Sequence, residues 1–141
     1  MESQAQPVRI LLADDDHMAR TVTALMLEAC GYEVVAVADG RAAIAAAERE
    51  PFALVLMDIM MPVMGGREAV AHIRERERPG DARLPVLALT GYGAGEDRES
   101  FLAAGFDECL SKPTCMDTLR ETIERNLRIV TRGTRVPSGS G

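Results

Sequence analysis

Residues Ala53–Gly66 read ALVLMDIMMPVMGG, an apolar run that stops at a carboxylate. Ala53–Met57 is too short for a helix and shows no polar alternation. Asp58 and the loop Met61-Pro62-Val63-Met64-Gly65-Gly66 close it, so it reads as a strand buried on both faces with an acid at its carboxyl end. The same arrangement recurs on either side. Val8–Ala13 (VRILLA) runs into Asp14, Asp15 and Asp16, Glu33–Ala38 (EVVAVA) is a further strand, Leu84–Leu89 (LPVLAL) runs into Thr90, and Glu108–Ser111 runs into Lys112-Pro113.

Helical patterns lie between these runs. Met18, Val22, Leu25, Met26 and Ala29 have the spacing of one helical face and predict the inward side of a first helix that Gly31 terminates. Gly40–Glu50 predicts an alanine-rich helix stopped by Pro51, and Arg67–Glu77 a third, followed by the turn Arg78-Pro79-Gly80-Asp81. Glu96–Ala104 follows a loop spaced by Gly91, Gly93 and Gly95 that is expected to be mobile. Leu119, Ile123, Leu127 and Val130 mark the inner face of a last helix. Five strands alternating with five helices predict an α/β fold, a three-layer sandwich with a parallel sheet between helices.

The pattern occupies residues 8–130 of 141, one domain, with a flexible N-terminus at 1–7 and an Arg/Gly/Ser-rich, disordered tail at 131–141. With 22 acidic and 16 basic residues the net charge is −6, which disfavours direct binding of nucleic acid. No apolar run approaches the roughly 20 residues of a membrane span, and the polar start does not resemble a secretory signal, so no membrane contact and a cytoplasmic location are expected. Cys30, Cys109 and Cys115 lack metal-type spacing and are expected to be small buried hydrophobes.

In an open parallel sheet the working groups sit beyond the carboxyl ends of the strands, where the strand order reverses. Those ends carry Asp14, Asp15, Asp16, Asp58, Thr90 and Lys112. Clustered carboxylates raise one another's pKa unless a cation relieves them. An all-oxygen donor set without histidine or thiolate suits a hard ion such as Mg²⁺. The cations of the chain are fifteen arginines and a single lysine, Lys112, so a compact ammonium stands where it can meet a phosphate oxygen. A carboxylate beside Mg²⁺ can take a phosphoryl group as an aspartyl-phosphate, while the hydroxyl of Thr90 can donate to one of its oxygens. Asp16, just ahead of the first helix, reads as its N-cap. No Ser-His-Asp or Cys-His arrangement is visible, and no GxxxxGK loop.

Four stretches in order, ILLADDD, LVLMDIMMPVMGG, LALTGYG and FDECLSKP, resemble the receiver domains of two-component response regulators over about Val8 to Val130. The resemblance implies a doubly wound, flavodoxin-like (βα)5 order with Asp58 as phosphoacceptor. It implies Mg²⁺ held by Asp15, Asp58 and the backbone carbonyl of Met60, with Asp14 acting through water, and Thr90 and Lys112 on the phosphoryl oxygens. It further implies a cis Lys112–Pro113 peptide, and a phosphohistidine on a histidine kinase or histidine phosphotransfer protein as the donor. On this reading the chain is a signalling module and not an enzyme, a monomer or weak dimer, similar to receivers of hybrid kinases or to single-domain regulators.

Three positions depart from the family's pattern, one of them Met60, a bulky apolar residue two after the acceptor that is expected to slow hydrolysis by shielding the acyl phosphate from water. Cys109 stands where receivers carry an aromatic residue that turns inward on phosphorylation, and Gly65 replaces a frequent acidic residue. With no ring at position 109, the conformational response is expected in Gly91–Gly95 and the helix after it, with Tyr92 as a possible contributor and the last helix completing the partner face. A rival reading comes from Asp14-Asp15-Asp16-His17-Met18, which partly resembles the signature of haloacid dehalogenase-type phosphohydrolases. There Asp14 would be the nucleophile and Asp16 the acid/base, but Met18 stands where that family has Thr or Val.

Overall fold

The computed structural model describes residues 7–78, 80, 82–91 and 98–135. Its elements follow in strict alternation: β1 Arg9–Ala13, α1 His17–Ala29, β2 Glu33–Val37, α2 Gly40–Arg49, β3 Leu54–Asp58, α3 Gly66–Arg76, β4 Val86–Thr90, α4 Arg98–Ala104, β5 Glu108–Ser111 and α5 Met116–Arg135. The five strands form one parallel sheet in the order β2-β1-β3-β4-β5. The expected three-layer sandwich is the fold observed.

Side-chain alternation along the strands divides the core in two. Leu11, Val55, Met57, Val86 and Ala88 face Ala43 and Ala46 of α2, Val70 and Ile73 of α3, and Phe101 of α4. Ile10, Leu12, Leu54, Leu56, Leu87 and Leu89 face Leu27 of α1 and Leu119 and Ile123 of α5. Both faces are therefore covered, which explains why β3 and β4 are apolar at nearly every position.

The first helix corrects an expectation. Met18, Val22 and Leu25 are 72%, 49% and 60% exposed, whereas Thr23 and Leu27 are buried, with Ala24 and Met26 half-buried beside them. The solvent stripe lies about half a turn from Thr23 and Leu27. Apolar residues occur on almost every side of this helix, and polar Thr23 disguised the inward row.

The last helix also differs, running on to Arg135 rather than ending at Val130. Residues 131–135, assigned to the tail, are helical because nothing before Pro137 forces the backbone out of the helix. None of the cysteines is fully buried, Cys30 and Cys109 being intermediate and Cys115 exposed. The glycine-spaced loop, including Tyr92, falls mostly on residues 92–97, outside the described residues. So do residues 1–6 and 136–141.

Candidate functional site

The chain passes from β1 outward to β2 and then returns past β1 to β3, so the strand order reverses between β1 and β3 and a crevice opens at their carboxyl ends. Asp14 directly follows β1, and its backbone N–H donates to Val37 O at 3.1 Å, extending the ladder by one residue. Asp58 is the last residue of β3. On the far side of β4, which ends at Thr90, Lys112 N donates to Thr90 O at 2.7 Å. The Lys112–Pro113 peptide is cis, as the resemblance implied.

The two buried carboxylates are held alike. Asp14 Oδ1 accepts from Asp16 N at 3.0 Å, and Asp58 Oδ1 accepts from Met60 N at 3.1 Å. The other oxygen of each, Oδ2, accepts from Lys112 Nζ at 3.2 Å. Asp15 stands exposed beside them, and ligand atoms of Asp14, Asp15 and Asp58 lie within 4.8 Å of one another. One ammonium among three carboxylates leaves an excess of negative charge facing an open cleft of about 580 Å³, which Asp15, Asp58, Met60, Thr90, Phe101 and Lys112 help to line.

Burial pushes Asp58 up to about 6, helped by the Asp14 charge, against the opposing pull of Lys112 and the Met60 N–H. Burial draws the Lys112 ammonium down, but the Asp58 and Asp14 carboxylates outweigh it and leave Lys112 raised and firmly charged. Thr90 Oγ1 is buried with no hydrogen-bond partner among the described residues. An orphaned hydroxyl at the cleft costs free energy unless a ligand oxygen meets it.

Close approach of backbone sets the geometry around Asp58. A Cβ on Gly66 would stand 2.4 Å from Asp58 O, so only glycine lets α3 begin against the end of β3. Gly66 N donates to Ile59 O at 3.0 Å there. On the other side of the site, Arg20 Nη1 donates to Asp14 O at 2.8 Å and braces the acidic turn.

A family model described as the response regulator receiver domain matches residues 10–124. The chain belongs to the receiver domain family. It is 40% identical to the sensor protein GacS of Pseudomonas syringae pv. syringae over 117 residues, which are 82% of this chain and 13% of GacS. It is 36% identical to the probable transcriptional regulatory protein TcrX of Mycobacterium tuberculosis over 134 residues, 95% of this chain and 54% of that protein. The receiver thus spans only part of the length of these relatives. Among solved structures it is similar to the receiver domain of the sensor histidine kinase PA1611 from Pseudomonas aeruginosa PAO1, whose active-site cleft coordinates magnesium. The TM-score is 0.79 at 36% identity, covering 87% of this chain and 99% of that one. A CheY-like receiver from Methanospirillum hungatei JF-1 has a TM-score of 0.79 at 34% identity, covering 91% and 99%.

All the expected site residues converge on one cleft of the receiver. Asp16 Oδ1 accepts from Met18 N and Ala19 N as the N-cap of α1, as expected, and the family match gives the phosphohydrolase alternative no support. No helix among the described residues is long and apolar enough to cross a membrane. Three features escaped the sequence reading: the brace from Arg20, the ring of Phe101 in the cleft wall, and the exposure of large apolar side chains, Met18, Val22 and Leu25 on α1 and Met60 and Val63 after β3, the last two 76% and 75% exposed. The expected partner face comprises the Gly91–Gly95 loop, most of which lies outside the described residues, together with α4 and α5. The signal for Met60 and Val63 was their place in a loop next to the charged strand ends.

Proposed function

We propose that Asp58 accepts a phosphoryl group from a phosphohistidine carried by a histidine kinase or histidine phosphotransfer protein, and that the receiver signals through its contacts with partner proteins. The observation that carries this reading is the bridge from Lys112 Nζ to both Asp14 and Asp58 at 3.2 Å, next to the unpartnered Thr90 hydroxyl. An Asp58 oxygen attacks phosphorus, a P–O bond forms and the P–N bond breaks, and the bond electrons remain on the imidazole, which then takes up a proton. Lys112 and Thr90 Oγ1 meet phosphoryl oxygens, so charge that builds up in transfer falls on groups already in position.

The all-oxygen cluster fits Mg²⁺. Asp15, Asp58 and the Met60 carbonyl would hold it, with Asp14 acting through water. Bound there, the ion would supply positive charge to the phosphoryl oxygens. Asp14 also keeps Lys112 charged and aimed across the cleft. The residue set supports acceptance of a phosphoryl group rather than turnover of a substrate, in a receiver that works in the cytoplasm beside its kinase as a monomer or weak dimer.

The donor protein docks on the exposed apolar surface of α1 with Met60 and Val63. Met60 lines the cleft itself, and solvated apolar side chains of this size contribute little to the fold but can anchor a helical partner. The deciding experiment incubates the receiver with phosphorylated candidate kinases and Mg²⁺ and maps the modified residue by mass spectrometry. Phosphate on Asp58 supports the reading, and phosphate on Asp14 or on no aspartate overturns it.

A further inference from the structure

β5 contributes only the half-buried thiol of Cys109 to the core layer it shares with Phe101 and Phe106. Bulk in that layer comes from α4 instead. Phe101 is 2% exposed and meets Phe106 edge to face, with 6.3 Å between ring centroids and 85° between planes. The guanidinium carbon of Arg67, on α3, lies 4.7 Å from the Phe101 centroid, and Arg67 Nη1 donates to Ser100 Oγ at 3.1 Å. The same Phe101 ring is the one aromatic, among the described residues, in the wall of the cleft that holds Asp58, Thr90 and Lys112. One side chain therefore borders both the reacting groups and the seam between α3 and α4.

Thr90 Oγ1 is buried in that wall with no partner among the described residues. A phosphoryl oxygen arriving on Asp58 offers it an acceptor, and a side chain that turns toward Asp58 leaves volume behind it. Close-packed interiors do not keep such voids, so a neighbouring side chain shifts to fill them. We propose that Phe101 is that side chain, so that its ring shifts with Thr90 and reports the phosphorylation state of Asp58. The shift changes the Arg67 stack, and through the Arg67–Ser100 hydrogen bond it alters the α3–α4 surface that a downstream partner reads. This rests on Asp58 being the phosphoacceptor. Cys109 takes no part as a rotating group, and α4 carries the readout.

The test places 4-fluorophenylalanine at position 101 or, in a separate preparation, at position 52, whose ring stacks on Arg9 at the amino end of β1. Fluorine spectra are recorded with Mg²⁺, before and after addition of beryllofluoride. The Phe101 resonance should move and the Phe52 resonance stay. In Thr90→Ala, with the bound beryllofluoride signal verifying occupancy, the Phe101 resonance should remain at its free position. A Phe101 resonance that stays put while beryllofluoride is bound overturns the proposal alone, and so does an equal shift in Thr90→Ala. No bound beryllofluoride, together with no phosphate on Asp58 after acetyl phosphate treatment, overturns the phosphoacceptor reading and the proposal with it.

Discussion

Lys112 Nζ donates to Asp58 Oδ2 at 3.2 Å across 54 positions of sequence, joining the ends of β5 and β3 over the intervening end of β4. The same ammonium reaches Asp14 Oδ2 at 3.2 Å, so two buried carboxylates depend on one cation.

Lys112→Met should therefore destabilise the cation-free protein at neutral pH by roughly 2–4 kcal/mol, because removing one partner strands buried charge. Addition of Mg²⁺ should restore part of the loss. Urea unfolding midpoints with and without the ion check this, and an unchanged midpoint in chelator would show that the bridge contributes nothing.

Asp58→Asn should abolish labelling by acetyl phosphate, since an amide forms no acyl phosphate. It should also stabilise the cation-free protein. With Asp58 pushed up to about 6, the folded protein holds a proton that the unfolded chain has already released above about pH 4. Stability from this group therefore falls as pH rises from about 4 through about 6 and stays low above that. The variant escapes this cost, so its advantage, on the order of 1–2 kcal/mol near neutral pH, should vanish below about pH 4. Thermal melts of both proteins across that range measure it.

Mg²⁺ affinity should follow the same titration. A carboxylate that titrates at about 6 must lose its proton before it can take the ion, so affinity should fall about tenfold between about pH 7 and about pH 5. Calorimetric titration at the two values is the check, and a chelator should abolish phosphotransfer at both.

The strands and their terminal groups were legible because a parallel sheet covered on both faces turns each strand into an apolar run, and each run here stops at a chemically distinct residue. Lys112 stood out among fifteen arginines. The inward face of α1 was not legible, since Thr23 lies on it while Met18, Val22 and Leu25 form an equally regular row on the other side. Phe101 carries no mark in the sequence, and only the packing of α4 over the sheet brings its ring to the cleft. The end of α5 was misread because its apolar periodicity fades before its backbone does.

Gly66→Ala should damage the site through the backbone. The added methyl would lie 2.4 Å from Asp58 O and 3.0 Å from Ile59 Cα, and neither atom can yield without moving β3 or α3. A loss of about 1–3 kcal/mol is expected, as for other overpacked positions. Labelling of Asp58 should slow as well. Normal stability together with normal labelling would mean that the start of α3 adjusts freely.

Val63 holds a φ of 69°, a left-handed conformation that a β-branched residue adopts only under strain. Its side chain is 75% exposed, so little packing within the chain offsets that strain. Val63→Asn keeps a side chain and suits the left-handed region, because Asn adopts it far more readily. The substitution should stabilise the receiver by about 1 kcal/mol, visible as a higher urea midpoint. If the apolar surface beside the cleft receives the phosphohistidine protein, the same substitution should lower the rate of transfer from that protein relative to the rate with acetyl phosphate, which needs no docking. Leu25→Glu on α1 should lower the ratio further, since it sets a charge within an otherwise apolar row. An unchanged ratio in both variants would place the docking face elsewhere on the receiver.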